Sequence, residues 1–211
     1  MSVDRAAWPF VLGTLAPALA LALARRPRSA LALGAVSAFM LFFFRDPERT
    51  PPAGTSLVLS PADGRVMVAG AAGPEAPAGD WLQVSIFLSP MDVHINRAPV
   101  GGVVRRVEYR PGRFLAAYKP ESAHLNERNE IWIDTGAHTV VARQIVGVLA
   151  RRVVCRVTAG STVEAGQRVG LMKFGSRMDV FVPLGTRLTV AAGDRVVAGE
   201  SIIAHLPPSD R

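Results

Sequence analysis

The stretch Arg45-Asp46-Pro47-Glu48-Arg49-Thr50-Pro51-Pro52 divides the chain into parts that cannot share one kind of secondary structure. Two adjacent prolines forbid helix continuation, and each pushes the residue before it toward extended geometry. Upstream, Trp8 to Ala24 is apolar except for Thr14 and holds Pro17, and Ala30 to Phe44 is apolar except for Ser37. Between these runs lies Arg25-Arg26-Pro27-Arg28, a charged breaker. Downstream, the apolar residues recur with the period of strands. The expected division is a membrane-associated apolar helical hairpin and connector over 1–50, then a β-rich domain over 51–211.

As helices the two runs would be roughly 25 and 22 Å long, short of a hydrocarbon core of about 30 Å. They would cross a thinned bilayer as a hairpin or lie shallowly in one leaflet. A spanning hairpin places the loop arginines opposite the main domain, which by the positive-inside rule puts that domain outside. A shallow hairpin removes this conflict with a cytosolic domain. Ala22-Leu23-Ala24 also resembles a signal-peptide cleavage site, but Asp4 and Arg5 cancel in the segment that should be basic. A buried, soluble helical hairpin is a further reading.

The formal net charge of +7 is carried almost wholly by arginine, Lys119 and Lys173 being the only lysines. The arginines are scattered and not interleaved with aromatics, so a membrane surface is expected rather than nucleic acid. Cys155, the single cysteine, cannot form an internal disulfide and sits in an apolar run.

Strands are expected at Leu57–Leu59, Arg65–Ala69, Trp81–Leu88, Val103–Tyr109 and Glu130–Asp134, with Val140–Leu149 pairing to Val153–Val157. Residues 111–126 are ambiguous. Val163-Glu164-Ala165-Gly166-Gln167-Arg168-Val169-Gly170 resembles Val190-Ala191-Ala192-Gly193-Asp194-Arg195-Val196-Val197-Ala198-Gly199-Glu200, an internal repeat of strand, glycine turn and strand. The fold class is therefore mainly β, a sandwich or barrel-like body resembling biotinyl/lipoyl-type hairpins.

Several residues can carry chemistry. Gly175-Ser176 lies between two apolar runs. A serine held in a bent backbone can attack the carbonyl before it, and glycine leaves that carbonyl uncrowded. His94, in Asp92-Val93-His94-Ile95-Asn96-Arg97, is the best acid–base candidate, an imidazole titrating near neutrality. Arg97 can hold a carboxylate or phosphate, and Asn96 stands beside it. Asp63 by itself reads as a turn residue. His124, His138 and His205 stand apart, and no His/Cys/Asp spacing suggests a metal site.

Taken in order, Phe44-Arg45-Asp46-Pro47, Ser60-Pro61-Ala62-Asp63-Gly64-Arg65-Val66, Asp92 to Pro99, Asn126-Glu127-Arg128-Asn129 and Phe174-Gly175-Ser176-Arg177 resemble the short bacterial and archaeal type of phosphatidylserine decarboxylase. The resemblance covers residues 44 to 183 and implies a proenzyme that cuts itself at Gly175-Ser176. The products would be a β chain 1–175 and an α chain 176–211, with Ser176 becoming a pyruvoyl cofactor and no metal. A Schiff base to that group would release CO2 from phosphatidylserine and leave phosphatidylethanolamine. The implied catalytic residues are Ser176, His94 and Asp63, with Arg97 and Asn96 as substrate contacts.

The longer type of the family has two histidines three positions apart. His94 matches the first, and Arg97 stands at the second, the one tied to self-cleavage. Either His94 serves both steps or Asp63 acts more directly. The implied setting is the inner membrane with the catalytic domain on the cytosolic face, the two chains forming a heterodimer and higher oligomers remaining open. A membrane-tethered carrier with Lys173 as its attachment point, or an archaetidylserine-type substrate, are the other readings.

Overall fold

A computed structural model describes residues 2–119, 121–148, 152–173 and 176–208. The chain falls into two compact units, Met1–Glu48 and Arg49–Arg211.

In the first unit a short strand β1 (Ser2–Val3) leads into α1 (Trp8–Leu23) and α2 (Pro27–Phe43), and β2 (Arg45–Asp46) returns to pair with β1. The turn is tighter than the arginine cluster suggested. Pro27 opens α2 rather than breaking it, because a proline at the first helical position gives up only an N–H that has no helical partner there. Arg25 absorbs the reversal with a left-handed φ of 55°. Thr14 and Ser37, the lone polar residues of the two runs, meet across the hairpin at 2.6 Å. The Thr14 hydroxyl also lies 2.9 Å from the Phe10 carbonyl, a bond back to its own helix. Leu12, Leu19, Leu23 and Leu31 stay exposed. With its lead-in turn the first helix runs Arg5–Leu23, has a mean hydropathy of 1.8, and is long and apolar enough to cross a membrane.

The second unit begins with β3 (Leu57–Leu59), β4 (Gly64–Ala71), β5 (Trp81–Leu88), β6 (Ile95–Arg97) and β7 (Gly102–Arg110). After a short helix α3 (Ser122–Leu125) come β8 (Arg128–Asp134), β9 (Thr139–Val146), β10 (Val153–Cys155), β11 (Thr162–Val163) and β12 (Arg168–Met172). The chain closes with β13 (Ser176–Pro183), β14 (Arg187–Leu188), β15 (Arg195–Val196) and β16 (Ile202–His205). An eight-stranded sheet runs β11-β7-β8-β9-β13-β5-β4-β15, and two three-stranded sheets run β10-β12-β6 and β14-β16-β3. Every pairing between these strands is antiparallel.

Alternation sorts the large sheet into two faces. Val84, Ile86 and Leu88 of β5, Ile131 and Ile133 of β8, Val140 and Ala142 of β9, and Met178 and Val180 of β13 build the core. The opposite face carries Gln83, Ser85, Arg128, Glu130, Arg143, Arg177 and Asp179.

Two sequence expectations are corrected. Val140–Leu149 does not pair with Val153–Val157: β9 lies between β8 and β13, whereas β10 joins β12 in another sheet. The apolar content of both segments was right, but Val153 to Cys155 are each only half buried. Leu149 lies outside the described residues.

The repeat is real, but its register and its pairing differ. β11 pairs with β7 and β12 with β6, so the two arms of the copy around Gly166 are not a hairpin. Gly166 is equivalent to Gly199, not to Gly193. Gly166 donates to the Ala98 carbonyl as Gly199 does to Ser60, each at 2.8 Å. Gly160 and Gly193 likewise donate to Val104 and Val66. The half β11-β7-β8-β9 thus mirrors β15-β4-β5-β13 about the centre of the sheet.

Gly64 and Gly102 are counterparts in these halves. A Cβ at Gly64 would lie 2.2 Å from the Phe87 carbonyl oxygen, and one at Gly102 2.2 Å from that of Asp134. Backbone cannot yield as a side chain does, so Gly64→Ala is expected to cost about 3 kcal/mol, the upper end for overpacking. Gly73, whose added Cβ would meet nothing within 4 Å, is the control: Gly73→Ala should change the unfolding free energy by less than about 0.5 kcal/mol.

Candidate active site

Ser176 is the first residue of β13, between Leu88 of β5 and Val146 of β9. It is fully buried, and among the described residues its Oγ has no hydrogen-bond partner. Alternation points its side chain to the core face, where Met178 and Val180 follow it. A buried hydroxyl without a partner costs about 1–3 kcal/mol, so its presence calls for a role. Phe174 and Gly175, the other side of the expected scissile bond, lie outside the described residues.

Asp63 stands just before β4. Arg65 and Arg177 both register with Phe87, so β4 and β13 start level with each other on either side of β5. With strands about 4.8 Å apart, the backbones at those two starts are separated by roughly 10 Å. The Asp63 carboxylate accepts the Ala198 N–H at 2.8 Å and the Arg49 guanidinium at 2.9 Å. In the mirrored half its counterpart is Gly101, and a Cβ added there would lie 3.5 Å from the Ala165 nitrogen. Only one half therefore carries the carboxylate.

His94 follows the Ser89–Asp92 turn at the end of β5, a turn closed when the Asp92 carboxylate accepts the Ser89 hydroxyl and N–H at 2.7 and 2.8 Å. The imidazole is buried, with Nδ1 2.9 Å from the Asp92 carbonyl. A carbonyl only accepts, so Nδ1 carries the hydrogen and Nε2 is the basic nitrogen of the neutral ring. The His94 carbonyl takes the Met172 N–H at 3.2 Å, at the end of the strand that leads to Ser176. The Arg97 N–H donates to Pro61 at 2.9 Å and ties this segment to the Asp63 turn.

The two expected substrate contacts are both inside the protein. Arg97 donates to the Gly166 carbonyl at 2.9 Å, and a Cβ on Gly199 would come within 2.9 Å of its Cδ. Asn96 is fully buried and accepts from Gln144 at 2.8 Å, while Gln144 accepts from Asn129 at 3.0 Å. The three amides use each other in turn and leave the Asn96 Nδ2 buried without a partner. Gln144 pairs with Met178, one core-facing position beyond Ser176.

Sequence reasoning missed Gln144 and Arg49. Gln144 was detectable as a polar residue in phase with the core-facing Val140 and Ala142; Arg49 sits in a connector and gave no such signal. Asn126, noted only as part of a motif, clamps the carbonyls of Leu115 and Val146 at 2.8 Å each. It thereby fixes the residue that faces Ser176. Among the described residues no group of three His, Cys, Asp or Glu side chains gathers where a metal could sit.

A family profile described as phosphatidylserine decarboxylase matches residues 36–204. The phosphatidylserine decarboxylase proenzyme of Nitrosomonas europaea is 42% identical over 204 residues, 96% of this chain and 94% of its own. That of Symbiobacterium thermophilum is 45% identical over 207 residues, covering 97% and 96% of the two chains. A third, from Burkholderia mallei, is 41% identical over 206 residues, covering 97% and 95%. The match spans both ends of the β body and every motif gathered above, and by it this chain belongs to the phosphatidylserine decarboxylase family of carboxy-lyases.

Proposed function

We propose that this decarboxylase makes its own cofactor by cutting the Gly175-Ser176 bond. The observation that carries the reading is the buried, unpartnered Ser176 Oγ at the start of a central strand. Nε2 of His94 takes the Oγ proton as oxygen bonds to the Gly175 carbonyl carbon. The C–N bond then breaks, its nitrogen gaining a proton, and an ester remains. Loss of the Ser176 Cα proton expels the Gly175 carboxylate, and water replaces the nitrogen as ammonia. The resulting N-terminal ketone on chain 176–211 supplies the electron sink, through a Schiff base with the substrate amine, for the electrons left when CO2 departs.

The rest is positioning by this chain's own groups. Asp63 puts a carboxylate at the same end of the sheet as Ser176. Arg49 and the Ala198 N–H hold that carboxylate in place. The Asn96 Nδ2 is the spare donor for an oxygen gaining charge, either at the Gly175 carbonyl or on the bound substrate. Its buried setting magnifies such a bond. The apolar helices and the net positive charge hold the enzyme at the membrane, with the catalytic domain on the cytosolic face. The two products of cleavage remain as a heterodimer through the strand pairs of β13. Relatives whose names specify phosphatidylserine favour that lipid over an archaetidylserine, and membership of an enzyme family displaces the carrier reading.

Intact-mass measurement of the purified protein tests the proposal. A chain 176–211 that lacks a free amine is expected; only uncut chain would end the reading. Asn96→Leu removes the spare donor. It should slow the appearance of that chain about 100-fold, the lower end for loss of an oxyanion donor, and, because the buried Gln144 amide loses its acceptor, lower stability by about 1–3 kcal/mol. An unaltered cleavage half-time would remove Asn96 from the chemistry.

A further inference from the structure

The face of the large sheet turned away from the Ser176 side chain carries a second built site. Two cavities of about 560 and 340 Å³ lie end to end on this face and share Pro74, Glu75, His124 and Arg143 in their walls. Their combined size is that of pockets that take small-molecule ligands. The two ends differ in chemistry. The larger is walled at β4 by Met67, Val68 and Ala71, with Tyr118 opposite. The smaller is walled by Arg106, Arg110, Arg128 and Trp132 of β7 and β8.

The arginine end holds the guanidiniums of Arg106, Arg110, Arg128 and Arg143 against the carboxylates of Glu75, Glu108 and Glu130, and Glu75 lies 3.1 Å from His124. Glu108 serves both Arg106 and Arg110, at 3.0 and 3.3 Å. Arg143 is matched by Glu130 at 2.8 Å. Arg128 is left with backbone carbonyls, those of His124 and Asn126. Its Nε is buried with no partner. Burial, and then the charges of Arg143 and Arg110, push its guanidinium below the usual arginine range, against the smaller opposing pull of Glu130 and Glu75. A cation desolvated among cations gains most from an anion. Trp132 is already stacked under Arg106, whose guanidinium carbon lies 4.0 Å from the ring centre, which holds that fork in place.

We propose that this cleft binds one anionic glycerophospholipid, distinct from the molecule being decarboxylated. Its phosphate sits against Arg128, Arg110 and Arg106, and an acyl chain lies in the apolar end beneath Tyr118. Arginine forks suit a tetrahedral phosphate better than a lone carboxylate needs. A protein whose family acts on a phospholipid meets such molecules in excess. Because the site opens on the face opposite the Ser176 Oγ, it does not depend on whether the chain cuts itself.

The test uses full-length protein carrying Ser176→Ala, so that binding is read without turnover, and Trp8→Phe, so that the remaining tryptophans report on the body. Dihexanoyl-phosphatidylglycerol, kept below its micelle concentration, should change the fluorescence of the Trp81–Trp132 pair saturably. Arg128→Gln should weaken that binding at least tenfold, and Arg110→Gln, a surface change that spares the fold, should weaken it severalfold. Inorganic phosphate should bind at least tenfold more weakly than the lipid, since it leaves the apolar end empty. Absence of a saturable change, or unaltered affinity in both arginine variants, overturns the site. Phosphate binding as tightly as the lipid overturns the lipid and leaves a plain anion site.

Discussion

Ser176→Ala is expected to leave the chain whole and to abolish decarboxylation, with at least a thousandfold loss of turnover. No other side chain can supply the oxygen that opens the Gly175-Ser176 bond, and without that step no ketone forms. The same substitution should not harm the fold. The Ser176 Oγ is buried without a partner, so removing it deletes a desolvated polar atom and leaves no partner orphaned. Stability should hold or rise by up to about 1 kcal/mol. That pairing of outcomes separates chemistry from structure: an uncut and unstable variant would make Ser176 a packing residue. Gel electrophoresis, intact mass and a denaturant midpoint on one preparation decide it. Normal cleavage in the variant would move the break elsewhere.

The second large effect is at His94. His94→Ala should lose about 10²–10⁴-fold in decarboxylation, the range for a general acid–base group. Chain cleavage should slow with it if one imidazole serves both steps. Alanine also removes the bond from Nδ1 to the Asp92 carbonyl, so His94→Asn is the sharper variant: its amide can replace that donor but not the basic Nε2. Cleavage kinetics followed by mass spectrometry, with CO2 release from phosphatidylserine in mixed micelles, separate the possibilities. Cleavage without turnover confines His94 to decarboxylation and leaves Asp63 to activate Ser176. Full turnover in His94→Asn removes the imidazole from the mechanism.

How legible the molecule was depends on the range of the forces involved. The helical hairpin could be read because its two apolar runs are local and nearly pure. The sequence even marked its contact, since each run has one polar residue and Thr14 meets Ser37. The β strands were visible through alternation within a few residues. Their partners were not. β9 and β10 are neighbours in sequence and look alike, yet they lie in different sheets. Alternation says which face a residue takes but not which distant strand lies beside it, and that choice is made by packing across the whole core. The repeat shows the same limit. Similarity of sequence aligned Gly166 with Gly193, whereas backbone hydrogen bonds match Gly166 to Gly199.

The candidate site divides along the same line. Ser176, His94 and Asp63 could be named because their motifs carry a family resemblance. Their arrangement could not, since β4, which Asp63 precedes, starts level with β13 only because Arg65 and Arg177 share the partner Phe87 on β5. Gln144 is a polar residue in an apolar strand until Asn96 and Asn129 are seen on either side of it. Arg128, legible in the sequence only as part of a motif, has Arg110 and Arg143 around it because β7, β8 and β9 are neighbours. The sequence by itself determined the two-part chain, the strand faces and the turn glycines, because each is set by steric and hydrophobic rules acting over a few residues. The tertiary structure alone decided which half of a mirrored sheet carries the carboxylate and which polar groups are buried without partners. Both depend on long-range strand register, which no local pattern encodes.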